Sequence, residues 1–311
     1  MNVYHSLTDL PPLHDTVITI GSFDGVHAAH EIILKKIMET ADANACQSVL
    51  ITFHPHPRLI VNPQDSGIKL LSTRAEKIFL LQKYQLSALV FVPFSIEFSN
   101  LSAEDYIVNF LVKYFNPKFI IIGYDHQFGK DRSGNIQLLR QLAPANGYQV
   151  IEIEKQVIED VSVSSTKIRN AIANKSIRSA EKLLGHPYNI IGKVVRGKQL
   201  GRELGFPTAN IETDEKEKLI PPAGIYAVWV NIDDQKYGGM LYIGDRPTLQ
   251  DAGGQSIEVN IFEFNKDIYG KTIRIDLVDF IRDDEKFSHL EELKSALAKD
   301  KISTLKHLNI A

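Results

Sequence analysis

Cysteine is almost absent from this chain, which has one, Cys46, among 311 residues. A single thiol excludes an internal disulfide, and no catalytic motif surrounds Cys46. The first residues also lack the basic start and apolar core of a signal peptide. We therefore expect a protein of a reducing compartment, the cytoplasm.

Long apolar runs and an excess of basic residues are missing as well. No segment approaches the roughly 20 apolar residues of a membrane helix, so we expect no membrane partner. The formal net charge of -3 argues against the broad basic surface that binds nucleic acid. What remains is an ordinary globular composition, 44% hydrophobic and 23% charged, in a chain long enough for two cores.

The first half of the chain alternates strand-like and helix-like patterns. Apolar β-branched runs predict strands at Val17–Ile20, Ser48–Phe53, Ala88–Pro93, Phe119–Ile122 and Tyr148–Ile153. Amphipathic stretches between them predict helices at Glu31–Thr40, Thr73–Tyr84, Ala103–Tyr114 and Ile136–Ala143, the second with a Thr73–Glu76 capping box and the third capped by Ser102. This order predicts a doubly wound α/β domain with a parallel sheet, which binds ligands beyond the carboxyl ends of its strands.

The pattern changes after Leu184, so we place one domain at residues 1–184 and a second at residues 185–311. The segment Gly185–Tyr188 reads as a connector. Closely spaced strands then predict a small antiparallel β-barrel, at Ile190–Arg196, Gly224–Asp233, Lys236–Ile243, Ile257–Asn265 and Thr272–Phe280. A final helix is predicted at Glu285–Lys299, with an apolar stripe facing the barrel at Phe287, Leu290, Leu293 and Leu297.

The segment Gly21–His30 joins the first predicted strand to the first predicted helix and carries two histidines. His27 and His30 are three residues apart, so both rings face one side of the helix start. Free backbone N–H groups at that end suit a phosphate, and the segment predicts a nucleotide site. The alternatives are a chance pair of histidines and, less favoured, a zinc site, which in metalloprotease helices has the histidines at i and i+4.

Two further segments of the first domain are candidates for the same site. Gly123–Gly129 follows a buried strand as a polar loop and includes Asp125. At residues 164–169, serine and threonine hydroxyls precede a helix that also carries Lys167 and Arg169. Cations at a helix start are unfavourable unless an anion binds there. An ordinary loop and a capped surface helix are the alternatives.

The second domain has its own candidate site. Gly197, Gly201 and Gly205 predict a flap whose amides approach phosphate, although the segment is not a P-loop. Strand alternation places Glu258 and Asn260 on one face. A solvated strand face is the alternative interpretation.

These motifs together carry a resemblance to a family. Gly21–His30 resembles the opening motif of bacterial bifunctional riboflavin kinase/FAD synthetases, which belong in part to the nucleotidylyltransferase superfamily; Ala29 stands where they usually have glycine. The loop Gly123–Gly129, the element at 164–169 and the ending Pro207–Asn210 are similar to family segments. Gly239–Thr248 matches as well, with Tyr242 replacing a common asparagine.

The resemblance implies two reactions: riboflavin and ATP give FMN, and then FMN and ATP give FAD and pyrophosphate. It implies adenylyl transfer stabilised by His27, His30 and Mg²⁺, and phosphorylation of riboflavin with Glu258 as the base. It further implies nucleotide contacts in the first domain from Gly21, Phe23, Asp24, Gly25, Asp125, Ser165, Thr166 and Arg169. For the kinase domain it implies a flap ending in Pro207, a Mg²⁺ site at Thr208 and Asn210, and flavin contacts near Arg282, Asp283 and Phe287.

Two rival interpretations remain, a single-activity enzyme with one decayed module and a non-catalytic flavin-binding module or sensor. The intact histidine pair, Thr208, Asn210 and Glu258 argue against both, because a binder needs no phosphoryl-transfer apparatus. We expect small-molecule partners and a monomer or weak homo-oligomer.

Overall fold

The computed structural model describes residues 1–61, 67–154, 163–197, 201, 205–245 and 255–310. The chain divides into two compact units, Met1–Ser164 and Ser165–Ala311. The boundary predicted from the sequence lies after residue 184, so the intervening residues group by their contacts with the second unit.

The first unit contains a sheet of six parallel strands within the described residues, in the order β1-β4-β3-β2-β5-β6. The strands are β1 Asn2–Tyr4, β2 Thr16–Ile20, β3 Gln47–His54, β4 Ala88–Pro93, β5 Pro117–Gly123 and β6 Gln149–Ile153. The five predicted strands are confirmed. β1 was missed because three residues are too few to show a pattern.

Helices flank this sheet and are placed close to the predicted positions. They are α1 Ala28–Ala43, α2 Pro57–Val61, α3 Arg74–Gln82, α4 Ile96–Ser99 and α6 Ile136–Asn146, with a composite helix α5 of Ala103–Asp105, a π-helical stretch Tyr106–Val112 and Lys113–Phe115. A short 3₁₀ turn occupies Lys130–Arg132. The Thr73–Glu76 capping box and the Ser102 cap are both confirmed.

Burial on both faces explains why the strands of this sheet are apolar throughout. Every residue of β2 is buried. Successive side chains face opposite sides, so Val17 packs in one core cluster and Ile18 in the other. Helices cover both faces, as the prediction of a doubly wound parallel sheet requires.

The second unit is a closed antiparallel barrel in the order β10-β11-β8-β7-β12-β9. Its strands are β7 Asn189–Val195, β8 Thr208–Glu212, β9 Gly224–Ile232, β10 Gln235–Asp245, β11 Gln255–Ile261 and β12 Thr272–Arg282. The predicted barrel is confirmed. β8 was missed because its sequence Thr-Ala-Asn-Ile-Glu is only five residues long and has just two apolar side chains, although these alternate with polar ones.

Two helices precede the barrel, α7 Ser165–Ala173 and α8 Ile177–Leu184. Gly185 ends α8 in a left-handed conformation with φ 80°, which confirms the predicted connector. Ion pairs join this region to β12: Arg178 Nε lies 2.7 Å from Asp279, and Lys175 pairs with Asp283 just beyond the strand. These contacts explain why both helices group with the barrel.

The last helix, α9, spans Leu290–Leu308 and corrects the sequence prediction. The predicted helix began at Glu285, and its stripe placed Leu290 against the barrel. Leu290 is instead 67% exposed, whereas Leu308 is 5% exposed and packs in a cluster with Met240 and Phe262. Leu297 of the predicted stripe does pack against this cluster, together with Leu305, so the stripe is confirmed there and wrong at Leu290.

Leu308→Ala should destabilise the second unit by about 2–5 kcal/mol, because it opens a cavity in this cluster. Leu290→Ala, on the exposed side, should change stability by less than about 0.5 kcal/mol. Urea unfolding followed by the fluorescence of Trp229, the single tryptophan, measures this transition. Equal destabilisation by the two variants would contradict the observed packing.

Candidate functional site

Two of the predicted site segments meet at one edge of the parallel sheet. Gly21–His30 follows β2 and Gly123–Gly129 follows β5, and these strands are neighbours. The carboxyl ends of adjacent parallel strands share an edge, so both segments lie where doubly wound folds bind ligands.

The turn after β2 has an unusual backbone. Phe23 and Val26 have positive φ angles of 45° and 42°, next to Gly25 at 83°. A left-handed conformation is rare for a bulky residue and most unusual for a β-branched one, so the surrounding structure must hold it. The loop before α3 does so: Gly25 N donates to Ser72 Oγ at 2.9 Å, and Ser72 N donates to Asp24 Oδ1 at 3.1 Å.

The two histidines lie directly after this turn and stack on each other. Their ring centroids are 3.7 Å apart with an interplanar angle of 16°. The backbone N–H of His27 donates to Nδ1 of His30 at 3.3 Å. Nδ1 is thus the acceptor, so a neutral His30 carries its proton on Nε2 and presents a donor there. Phe23 packs on the other side of His30, with a centroid distance of 4.6 Å.

His30 is held in its neutral form. Burial, followed by the charges of His27 and Lys77, lowers the pKa of His30 well below 6.5. Two stacked imidazoles with an ammonium nearby cannot readily carry further positive charge. The site therefore offers a neutral N–H donor beside the start of α1, rather than an imidazolium.

The loop after β5 is built around a short antiparallel bridge. Phe128 and Gly134 exchange backbone hydrogen bonds of 3.1 and 2.8 Å. Asp125 is exposed at the turn, and burial lowers the pKa of its neighbour His126 to about 4, although Asp125 opposes this shift. Gly129 is required because a Cβ there would lie 2.7 Å from Ala103 Cα. The bridge between Phe128 and Gly134 holds the loop in place, and Asp125 is exposed to solvent at its turn.

The predicted phosphate residues lie in the first turns of α7, in the second unit. Ser165 and Arg169 are half-buried, whereas Thr166 and Lys167 are exposed. The helix begins at Ser165, so only Ser164 precedes it, and Ser165 and Thr166 lie in its first turn rather than before it.

The barrel brings its own candidate residues together across two strands. β8 and β11 pair so that Thr208 is opposite Asn260 and Asn210 is opposite Glu258. Directly opposed residues share a face, so all four side chains lie on one side. Thr208 Oγ1 donates to Glu258 Oε2 at 3.0 Å, and Asn260 Nδ2 donates to the Pro207 carbonyl oxygen at 2.7 Å.

The flap glycines border these residues. A Cβ at Gly197 would overlap the side-chain amide of Asn210, and one at Gly201 would overlap the carbonyl oxygen of Phe206. Gly205 has φ 80°, in the region that favours glycine. Residues 198–200 and 202–204 of the flap lie outside the described residues. The segment Phe206–Asn210 can therefore take its observed position only because residues 197 and 201 are glycines.

A cavity of about 650 Å³ opens beside Thr208. Apolar side chains from β7, β8 and β11 line it together with polar ones from the segment before β12; its lining includes Val194, Arg196, Thr208, Val259, Asp267 and Tyr269. The guanidinium of Arg196 lies 5.6 Å from the ring centroid of Tyr269. Apolar walls with a few polar groups are typical of small-molecule sites.

Arg282 is the last residue of β12 and is firmly paired. Its guanidinium donates two hydrogen bonds of 2.8 Å to the buried carboxylate of Asp300. It also donates to the Asp283 carbonyl oxygen at 2.8 Å and lies 5.7 Å from the ring centroid of Phe287. A cavity of about 570 Å³ borders Arg282 and Phe287. The three predicted residues are thus together, but before α9 rather than at its start.

Tyr242 and the rest of its segment are only partly described, since residues 246–248 lie outside the described residues. Tyr242 is opposite Glu258 on β10 and donates through its hydroxyl to Asp284 Oδ2 at 3.1 Å.

The sequence analysis missed Ser72 and Lys77, which both contact the turn after β2. Lys77 Nζ donates to the Ser22 carbonyl oxygen at 2.6 Å and to Thr52 Oγ1 at 3.3 Å. One signal was present: Lys77 shares the buried face of α3 with Leu80 and Leu81. A lysine on an apolar face is seldom buried without a polar partner.

An α/β unit with a histidine pair at its first strand–helix turn, followed by a barrel with a Thr–Glu pair beside a cavity, defines a two-module transferase. A family model described as FAD synthetase matches residues 10–167, and one described as riboflavin kinase matches residues 184–308. The chain is 36% identical to the bifunctional riboflavin kinase/FMN adenylyltransferase of Buchnera aphidicola subsp. Schizaphis graminum, covering 95% of each chain. The Escherichia coli K12 protein of the same name is 34% identical over 96% of this chain and 94% of its own.

The chain belongs to the bifunctional riboflavin kinase/FMN adenylyltransferase family. It is an enzyme of flavin cofactor biosynthesis that carries a kinase and an adenylyltransferase activity.

A crystal structure described as a macrolide-efflux protein from Streptococcus pneumoniae is also similar, with a TM-score of 0.86 and 31% identity over 98% of this chain and 99% of that one. Among the described residues of our chain, no helix combines the length and the apolar character needed to cross a bilayer.

The lowered pKa of His30 predicts how stability depends on pH. An unfolded chain takes up a proton at this histidine near pH 6.5, whereas the folded protein resists doing so until well below that value. Its contribution to stability is therefore fully present above about pH 6.5 and falls as the pH drops, by at most about 1.4 kcal/mol per pH unit. His30→Asn should flatten this acid slope, measured by thermal unfolding between about pH 4.5 and 7. An unchanged slope would contradict the burial of a neutral His30.

Proposed function

We propose that the Gly21–His30 turn carries out adenylyl transfer and that the Thr208–Glu258 pair carries out riboflavin phosphorylation. The observation that carries the proposal is that the candidate residues of each site are in contact: the two imidazoles stack at 3.7 Å, and Thr208 donates to Glu258 at 3.0 Å. Chance histidines or a solvated strand face would not require either contact.

In the first unit, a phosphate oxygen of FMN attacks the α-phosphorus of ATP. The bond from that phosphorus to the bridging oxygen of the β-phosphate breaks, and pyrophosphate leaves. The FMN phosphate is already anionic, so no strong base is needed. The site's task is to align the reactants and to stabilise the negative charge that builds on the α-phosphate.

The neutral histidine pair suits that task. His30 presents an Nε2 donor because its Nδ1 is occupied by the His27 amide. The amides at the start of α1 add the positive end of a helix dipole. Thr166 and Arg169 would hold the phosphates that leave, and Asp125 would face the nucleotide and flavin; these roles rest on the family resemblance.

In the second unit, the terminal hydroxyl of the ribityl chain attacks the γ-phosphorus of ATP. Its proton passes to Glu258, the new P–O bond forms FMN, and ADP leaves. Thr208 already donates to Oε2 of Glu258, so it fixes the carboxylate and leaves Oε1 to receive the proton. The cavity beside Thr208 would take the nucleotide, and the region of Arg282 and Phe287 would take the flavin ring.

Mg²⁺ fits the kinase residues. Thr208 and Asn210 supply hard oxygen donors on one face of the barrel, opposite Asn260 and Glu258. Mg²⁺ typically takes one or two protein oxygens and completes its shell with water and nucleotide phosphates. Bound there, it would neutralise charge on the ATP phosphates. Within the described residues no group of three or more His, Cys, Asp or Glu is arranged to hold a metal ion.

We further propose that the enzyme works in the cytoplasm on small molecules, as a monomer or weak homo-oligomer, without nucleic acid or membrane partners. The single cysteine and the slight negative charge support this assignment.

Glu258→Gln should lower riboflavin phosphorylation by about 10²-fold or more, because the amide cannot accept the hydroxyl proton. FMN supplied directly should still be converted to FAD. Chromatography of the flavins formed with Mg·ATP measures both steps. Unchanged FMN formation would remove Glu258 as the base.

His30→Ala should give the reverse pattern, with FMN accumulating and FAD formation reduced by about 10²–10³-fold, because a donor to the reacting phosphate is lost. Binding of ATP to the barrel should be unaffected. Loss of both activities in the folded variant would contradict separate centres.

A further inference from the structure

Lys77 of α3 is a buried charged residue that has no role in either reaction as described above. Lys77 is only 6% exposed, although lysine is almost never fully buried without polar partners. Its ammonium donates to the Ser22 carbonyl oxygen at 2.6 Å and to Thr52 Oγ1 at 3.3 Å. The face of Phe91 lies 6.0 Å away.

These contacts join three elements at the catalytic edge of the sheet. Ser22 lies in the turn that follows β2, and Thr52 lies on the neighbouring strand β3. Thr52 Oγ1 also donates to the Ser22 carbonyl oxygen, at 3.1 Å. Two donors therefore converge on one carbonyl immediately before the left-handed residue Phe23. The lysine holds the strained turn at its entry, as Ser72 holds it at Gly25.

Lys77 brings a positive charge to this turn as well as a hydrogen-bond donor. Burying an ammonium is costly unless something compensates for the lost hydration. Lys77 also lies close enough to the histidine pair for its charge to act on His30. A fixed cation behind a phosphate-binding turn stabilises negative charge that develops in front of it.

We propose that Lys77 is a positioning residue of the adenylyl-transfer centre, whose ammonium fixes the Ser22 carbonyl and adds positive charge behind the His27–His30 pair. The inference rests on the proposed function of that pair. It assigns Lys77 no contact with substrate.

Lys77→Met tests the charge and Lys77→Arg restores it. We expect Lys77→Met to lower kcat for FMN adenylylation by about 10²-fold with a smaller change in KM, and Lys77→Arg to recover at least a tenth of the lost rate. Removing the cation should raise the pKa of His30 and move the acid limb of the rate–pH profile to higher pH, whereas Lys77→Arg should leave that limb in place. Lys83→Met, an exposed lysine at the end of α3, is the matched control and should match the unsubstituted protein.

Thr52→Val separates charge from hydrogen bonding, since it removes one partner and keeps the ammonium. It should lower the rate without moving the acid limb. Riboflavin phosphorylation, measured in the same preparations, should stay within about twofold and reports that each variant is folded.

An unchanged kcat in Lys77→Met would overturn the proposal. So would equal losses in the Met and Arg variants with the acid limb in place, which would mark a purely structural residue. Failure of the underlying function is distinguishable, because the unsubstituted protein would then form no FAD.

Discussion

The first unit depends on holding one turn in a backbone conformation that its residues do not favour. Phe23 and Val26 are left-handed, which is costly for bulky residues, although both side chains are buried in the core. Hydrogen bonds with Ser72, in the loop before α3, and with the buried Lys77 of α3 also hold the turn. Because the turn is fixed, the amide of His27 points at Nδ1 of His30, and the tautomer of the second ring follows. The conformation of this one turn thus determines both the hydrogen bond between His27 and His30 and the ring nitrogen of His30 that carries the proton.

In the barrel, strand pairing rather than a strained turn positions the candidate site residues. The antiparallel register of β8 and β11 sets Asn210 opposite Glu258 and Thr208 opposite Asn260, and a hydroxyl then fixes the carboxylate. No strained residue is needed within this pair, because register determines which side chains share a face. The flap meets its constraints with glycine instead: Gly205 adopts a positive φ that glycine allows, and Gly197 leaves space for the amide of Asn210.

Much of this architecture was predictable from local patterns. Apolar runs predicted the central strands, and the spacing of Thr73 and Glu76 predicted a helix start that the structure contains. What local patterns could not predict were contacts distant in sequence. Ser72 and Gly25 are 47 residues apart in the sequence, and the residues around either one do not predict the hydrogen bond between them. β8 was missed for a different reason: its polar and apolar residues do alternate, but a run of five with only two apolar side chains is too short to be distinguished from a loop. The start of α9 was placed too early because Phe287 continued the apolar spacing through residues that are not helical.

The grouping of α7 and α8 with the barrel constrains how such a protein can be divided or recombined. Thr166 and Arg169, which we propose to bind phosphate in adenylyl transfer, lie on a helix of the second unit. That helix is followed by Lys175 and Arg178, which pair with Asp283 and Asp279 of the same unit. A fragment that ends before Ser165 lacks Thr166 and Arg169. A fragment that ends after Leu184 includes them but separates Lys175 and Arg178 from their partners in the barrel. If the proposed roles hold, the segment 165–184 is needed by the first unit for phosphate binding and by the barrel for its ion pairs. Recombination of the two modules would therefore have to keep this segment with both.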